Sequence, residues 1–169
     1  MSRTGLERSS ALSRVEPQRG RLRAAVKAFE AASQVPETPG EPTAVAPDTS
    51  AAAPSEEAWS VSVARALDEL LAAWDEHVDF TESPEGLFAE LLDDSLDVAS
   101  EVDHLRRDHG AVAAAIARAG ELLVAHGASP DDEQLLDWLG AVAKQVNQHR
   151  RRGAELLYRV YSVDLAGGD

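Results

Sequence analysis

Apolar side chains recur every three or four residues from about residue 55 onward, which is the spacing of amphipathic helices. Three stripes follow this spacing: Val63, Leu67, Leu70 and Trp74; Val98, Val102, Leu105, Val112, Ile116 and Leu123; and Leu135, Leu139, Val142, Val146, Leu156 and Val160. No segment alternates apolar and polar residues long enough to predict a β-strand. We therefore predict an all-α, up-down helical bundle over residues 56–162, with three long helices and a shorter one.

Capping residues and prolines predict where these helices begin and end. Ser55 precedes two glutamates, a pattern typical of an N-cap followed by an acidic first turn. Pro84 is expected to open the next helix, with the residue before it as cap. A single helix from Pro84 to Gly127 would be about 63 Å long. We therefore predict a break at Ser95 or Ser100, and an end at Gly127.

The first 55 residues have a different composition. Residues 31–55, AASQVPETPGEPTAVAPDTSAAAPS, contain five prolines and no aromatic residue, so they cannot bury enough surface to offset the entropy of ordering. We predict a disordered basic arm and Ala/Pro linker over residues 1–55, and a C-terminal tail over 163–169. The alternative is that residues 19–32 form a basic helix, with Leu22, Val26 and Phe29 on one side, that docks on the bundle.

Charge is distributed unevenly along the 169 residues. The net charge is −14, and residues 56–103 hold 15 acidic residues against one basic residue. Such a surface repels nucleic-acid phosphates, so we expect a protein partner or a homo-oligomer, and no nucleic acid. The first thirty residues contain no apolar run of signal-peptide or membrane-span length, so we expect no membrane partner and a cytoplasmic location. With no cysteine, metal ligands are restricted to His, Asp and Glu.

Three histidines lie on the predicted apolar stripes. His77, His109 and His149 each follow a stripe residue of a different helix by three or four positions, so all three rings are expected to face the bundle interior. His104 lies one position off its stripe. Buried imidazoles need partners, because an unpaired polar group in an apolar interior costs about 1–3 kcal/mol. The three rings are predicted either to satisfy one another or to bind a metal.

Two short motifs around these histidines resemble a known family. LRRDHGAV, residues 105–112, is similar to the L-R-R-E-H-x-x-L opening of hemerythrin-like (HHE cation-binding) domains, and QHRRRGAELLY, residues 148–158, to their H-x-x-x-E-E-x-x-L-Y segment. The resemblance implies a four-helix bundle whose inward histidines and carboxylates hold two irons that bind or respond to oxygen. It implies ligand positions at His109 and His149, and a further one at His77.

The carboxylates of that pattern are missing. Gly153 and Ala113 stand four residues after the two matched histidines, where the pattern has acidic ligands. A di-iron centre needs bridging carboxylates and at least five inward ligands, whereas this chain adds only Glu82 or Glu85 to its three histidines. The sequence therefore predicts a metal-ligand set that has degenerated.

Two functions follow from this interpretation. The first is a non-enzymatic protein-interaction or regulatory module that binds no metal. The alternative is a sensor, storage or oxygen-binding module holding one iron or zinc ion at His77, His109 and His149, with the outer ring nitrogens facing second-sphere carboxylates. Acidic residues near in sequence to these histidines are Asp108, Glu76 and Asp79.

Other patterns add little chemistry. No serine, histidine and aspartate arrangement and no glycine-rich phosphate loop is present, so we predict no catalytic residues. The basic run at residues 150–152, beside Lys144, is predicted to be a solvated, salt-bridged face, with anion binding as the alternative.

Overall fold

The computed structural model describes residues 5–35, 55–125 and 129–166. In these residues the chain forms five α-helices and one short 3₁₀ turn, and no β-strand. The helices are α1 (Gly5–Ala32), α2 (Glu56–Glu82), α3 (Leu87–Asp94), α4 (Ala99–Ala125) and α5 (Glu133–Ala166), and the 3₁₀ turn is Leu96–Val98. The predicted all-α bundle is confirmed, and α2, α4 and α5 are its three predicted long helices.

Two of the predicted helix boundaries are confirmed. Ser55 is the N-cap of α2, since its Oγ accepts a hydrogen bond from the Ala58 N–H at 3.2 Å. The predicted break lies at Ser95, whose N–H donates to the Leu91 carbonyl at 3.0 Å and ends α3. The other candidate, Ser100, lies inside α4.

The helix start predicted at Pro84 is wrong, because α3 begins three residues later at Leu87. The intervening residues form a tight turn in which the Gly86 N–H donates to the Ser83 carbonyl at 2.7 Å. A Cβ at Gly86 would lie 2.8 Å from the Phe80 and Ser83 carbonyl oxygens. Glycine at this turn lets α3 fold back onto α2.

The prediction that the amino-terminal arm is disordered is wrong for residues 5–32, which form α1. Val15, Leu22, Val26 and Phe29 are each at most 4% exposed. They follow one another at intervals of seven, four and three residues, so they form a single helical stripe that packs into the bundle. The fourth long helix of the bundle is therefore α1, as the docking alternative expected.

Ion pairs join α1 to the acidic helices. Arg14 pairs with Glu90 of α3, and Arg21 NH1 lies 2.7 Å from Glu76 Oε2 of α2. Exposed pairs of this kind contribute little stability each, so the buried stripe holds α1 and the ion pairs orient it.

The buried side chains form two clusters separated by the three histidines. One cluster contains Phe29, Trp74 and Ile116, and the other contains Leu91 and Val102. Along α4 and along α5, the histidine lies between residues of one cluster and residues of the other. Along α2, the histidine follows Trp74, which belongs to the first cluster. A polar layer therefore crosses the bundle at this level.

Some predictions fall outside the described residues: the linker at 36–54, the helix end at Gly127 and the last three residues of the tail. The rest of the predicted tail, residues 163–166, belongs to α5. None of the described helices combines the length and apolar character that a membrane span requires.

Candidate metal centre

Helices α2, α4 and α5 bring His77, His109 and His149 together. The ring centroids lie 5.2 Å apart for His77 and His109, 5.0 Å for His77 and His149, and 4.7 Å for His109 and His149. One nitrogen from each ring lies within 4.8 Å of the others. The predicted meeting of the three rings inside the bundle is confirmed, and His104 is exposed, as its position off the stripe predicts.

Aromatic side chains enclose the three rings. His109 is 4% exposed and His149 2%, while His77 is partly buried. The Trp74 ring lies 5.0–5.5 Å from all three imidazoles, and its Nε1–H donates to the His109 carbonyl at 3.3 Å. The Phe88 ring stacks on His109 at 5.6 Å with an interplanar angle of 9°. These contacts fix the ring planes and keep water away from much of the layer.

The outer nitrogen of His109 has a carboxylate partner. Its Nδ1 lies 2.5 Å from Oε1 of Glu82, at the end of α2. A carboxylate accepts only, so Nδ1 carries the proton and donates it to Glu82. Nε2 is then left with a lone pair, and it is buried without a hydrogen-bond partner among the described residues.

The outer nitrogens of the other two rings also face oxygens. His77 Nδ1 donates to Oε1 of Gln18 at 3.1 Å, and His149 Nδ1 lies 3.8 Å from Oδ2 of Asp108. The second separation is too long for a hydrogen bond. Gln18 belongs to α1, so the amino-terminal helix also supplies a side chain to the centre.

The inner nitrogens of His77 and His149 face each other at 2.9 Å between their Nε2 atoms. Because His77 donates through Nδ1, its Nε2 is a lone pair, and this contact requires the proton on His149 Nε2. His149 Nδ1 is then a second buried lone pair without a donor, and it faces the carboxylate of Asp108. The three rings alone therefore leave two buried nitrogens unsatisfied.

Burial keeps these imidazoles neutral. Burial is the largest cause that lowers the pKa of His77 and of His149 from 6.5 to about 3, with smaller contributions from the neighbouring histidines and, for His149, from Arg152. The pKa of His109 is also lowered by burial, although Glu82 partly offsets the effect. Neutral rings have the lone pairs that metal coordination requires.

The carboxylates proposed from sequence have different environments. Glu82 and Asp108 lie beside the outer ring nitrogens, whereas Glu76 pairs with Arg21 on the surface. Glu85 and Asp79 are exposed. Among the described residues, the cluster of ring nitrogens includes no carboxylate.

Gly153 lies beside open space. A Cβ built at this position would meet nothing within 4 Å, and the residue lines a cavity of about 310 Å³ that extends to His77 and His149. Nothing replaces the acidic side chain that the family pattern has at this position. The sequence analysis predicted that an acidic ligand is absent at this position, and it gave no indication of the cavity.

The basic run of α5 is salt-bridged only in part. Arg152 NH1 lies 2.6 Å from Asp108 Oδ2, in agreement with the predicted salt-bridged face. Arg150 and Arg151 line the cavity instead.

Comparisons of this chain with known protein families, with curated proteins and with solved structures found no match. The resemblance to hemerythrin-like domains therefore stays a prediction from two short motifs.

Proposed function

We propose that this chain is a metal-binding helical bundle in which His77, His109 and His149 hold one divalent transition-metal ion, zinc or ferrous iron. Three atoms within 4.8 Å of one another share a point no more than about 2.8 Å from each. Zinc–nitrogen bonds are about 2.0–2.1 Å long, so small rotations of the rings bring three nitrogens to bonding distance. The ion would join α2, α4 and α5 at the level of the polar layer.

The observation that carries this proposal is the arrangement of the ring nitrogens. If a metal takes the three Nε2 lone pairs, each ring is free to place its proton on Nδ1. His149 then presents Nδ1–H to Asp108 in place of a lone pair, and His109 keeps its hydrogen bond to Glu82. Outer carboxylates of this kind orient metal-bound histidines and increase their basicity.

The donor set favours one metal ion over two. Three neutral imidazoles bring no negative charge, whereas two divalent ions held close together need bridging carboxylates. The proposed site thus keeps the histidine positions that the resemblance to hemerythrin-like domains implies, and lacks the acids that would hold a second iron.

Three protein ligands leave a fourth coordination position for water or a small molecule. His77 and His149 line the cavity, so that position is accessible from it. This arrangement supports a sensing or carrying role in which metal occupancy stabilises the packing of the helices.

Metal analysis of protein purified without a histidine tag tests the proposal. Apo-protein is incubated with Zn²⁺, or with Fe²⁺ under anaerobic conditions, and desalted before metal and protein are measured. We expect about one ion per chain, lost in His109→Ala and in His149→Gln and retained in the exposed-site control His104→Ala. Circular dichroism establishes that each variant is folded.

Substoichiometric metal in folded wild-type protein would contradict the proposal. It would favour the other hypothesis, a protein-interaction or regulatory module that binds no metal. That hypothesis has less support from the described surface. The large exposed apolar side chains include Val61, Val124 and Tyr158, each on a different helix. Single exposed apolar residues are ordinary on soluble proteins.

A further inference from the structure

The cavity beside the histidines has an apolar interior. Its buried lining comes mainly from α1, α3, α4 and α5 and includes Leu22, Leu87, Phe88, Leu91, Leu105 and Leu156. About 310 Å³ is the lower end of the usual range for small-molecule sites. If each group occupies about 30 Å³, there is room for about ten water-sized groups.

Most of the lining residues that are not fully buried belong to α1 and α5, so the cavity opens between these two helices. Arg19 on α1 and Arg150 and Arg151 on α5 lie at this opening. Gly153 lies beside them, and the absence of a side chain there leaves the entrance free.

The arginines at the opening form no ion pair with the residues that the structure describes. Among the described residues, no carboxylate lies within salt-bridge distance of Arg19, Arg150 or Arg151, and Arg150 donates to Asn147 Oδ1 at 2.8 Å. Arg150 is also repelled by Arg23 and Arg19, and attracted by Glu30. Glu30 accepts a hydrogen bond from Asn147 Nδ2 at 2.8 Å. A group of arginines without an ion pair among the described residues contrasts with the net charge of −14 of the chain.

We propose that this cavity binds a small amphipathic monocarboxylate, with its apolar chain between α1 and α5 and its carboxylate at Arg19 and Arg150. A guanidinium group donates two parallel hydrogen bonds to a carboxylate, and the apolar lining takes the chain. About ten non-hydrogen atoms correspond to a chain of eight carbons. This site goes beyond the proposed metal function and does not require the metal.

Calorimetric titration of the full-length protein with hexanoate, octanoate and decanoate tests the proposal, in chelator and again with metal. We expect saturable binding of one molecule, with affinity increasing about fourfold for each added methylene from hexanoate to octanoate. 4-Phenylbutanoate tests whether the cavity also accepts an aromatic acid. If it does, 4-phenylbutanoate and octanoate are expected to compete for the same site. Octylammonium, which has the same chain and the opposite charge, is expected to bind at least tenfold more weakly than octanoate.

Two pairs of variants separate the apolar and the charged part of the site. Gly153→Leu fills the entrance and is expected to abolish octanoate binding, whereas Gly140→Leu, at an equally unobstructed position of α5 outside the cavity, leaves it unchanged. Arg150→Gln is expected to weaken octanoate binding at least tenfold and to leave octan-1-ol binding unchanged. Arg65→Gln, on the surface of α2, is the charge control.

Several results would overturn the proposal. Absence of saturable octanoate binding to folded protein would exclude the site. Equal affinity for octanoate and octylammonium, or an unaltered octanoate affinity in both Arg150→Gln and Arg19→Gln, would exclude the arginines as the carboxylate site. Metal stoichiometry is measured separately, so failure here leaves the metal proposal standing.

Discussion

Oε1 of Glu82, at the end of α2, lies 2.5 Å from Nδ1 of His109 in the middle of α4. The contact fixes the orientation of the His109 ring, whose other nitrogen, Nε2, is buried without a hydrogen-bond partner among the described residues. We predict that Glu82→Gln lowers metal affinity by about 10–100-fold, because the histidine loses a charged acceptor that increases its basicity. The measurement is competition against a chelator of known affinity.

Glu85→Gln is the matched control for this change. Glu85 is exposed, lies three residues further along the chain and contacts none of the three rings. The control removes the same charge from the turn that follows α2 and is expected to retain wild-type affinity. Equal losses in the two variants would assign the effect to general electrostatics and not to the contact with His109.

Acid is expected to destabilise the metal-free protein well above the pH at which carboxylates titrate. The pKa of His77 and of His149 is about 3 in the folded chain, whereas an unperturbed histidine, as in the unfolded chain, has a pKa of 6.5. The unfolded chain therefore takes up protons first, and full stability is present only above pH 6.5. Between pH 6.5 and about 3, each ring lowers the free energy of unfolding by about 1.4 kcal/mol per pH unit.

Urea denaturation in chelator at pH 7.5, 6.0 and 5.0 measures this slope. His149→Gln removes one of the two groups and is expected to reduce the slope, whereas His104→Gln, an exposed histidine on α4, is expected to leave it unchanged. A free energy of unfolding that stays constant from pH 7.5 to 5.0 would contradict the burial of the neutral rings.

The amino-terminal helix is expected to be essential to stability. Phe29 on α1 is fully buried, and we predict that Phe29→Ala lowers the free energy of unfolding by about 3–5 kcal/mol through lost burial and an unfilled cavity. Lys27→Ala, on the exposed face of α1, is expected to change it by less than about 0.5 kcal/mol. Deletion of residues 1–54 is expected to lower the melting temperature strongly, the opposite of what a disordered arm predicts.

Sequence patterning predicted α2, α4 and α5 because each carries a long apolar stripe without prolines. It failed for most of α1, where the helix contains Pro17 and Gly20 and basic residues surround the stripe. Intrinsic propensity alone disfavours a helix there. Burial of Val26 and Phe29 against the bundle overrides it, which is a tertiary effect that local composition does not contain.

The candidate site, like the fold, could be predicted only in part from the sequence. Helical periodicity placed the three histidines on inward stripes, because that depends only on local geometry. It gave no indication of Gln18 or of the cavity beside Gly153. Both depend on how α1 packs against α5, and the alternative helix predicted over residues 19–32 begins after Gln18 and carries no information on that packing.

Gly86, in the turn before α3, is expected to tolerate no side chain. A Cβ there would lie 2.8 Å from three oxygen atoms of Phe80 and Ser83, two of them backbone carbonyls. We predict that Gly86→Ala lowers the free energy of unfolding by about 1–3 kcal/mol, as expected for overpacking. Gly140→Ala, in an open position inside α5, is expected to raise it by up to about 1 kcal/mol through helix propensity. Chemical denaturation measures both, and a neutral Gly86→Ala would show that the turn relaxes.

Trp74 provides an optical signal for the metal site. Its ring lies 5.0–5.5 Å from the three imidazoles, so coordination of those rings alters its immediate surroundings. We predict that tryptophan emission changes on metal addition and reaches a plateau at about one equivalent per chain. Trp138→Phe alters a tryptophan at the surface of α5 and is expected to retain the change in emission. Trp74→Phe is expected to abolish the change in emission, although direct analysis still finds bound metal. If the change persisted in Trp74→Phe, the metal would be bound somewhere other than beside these rings.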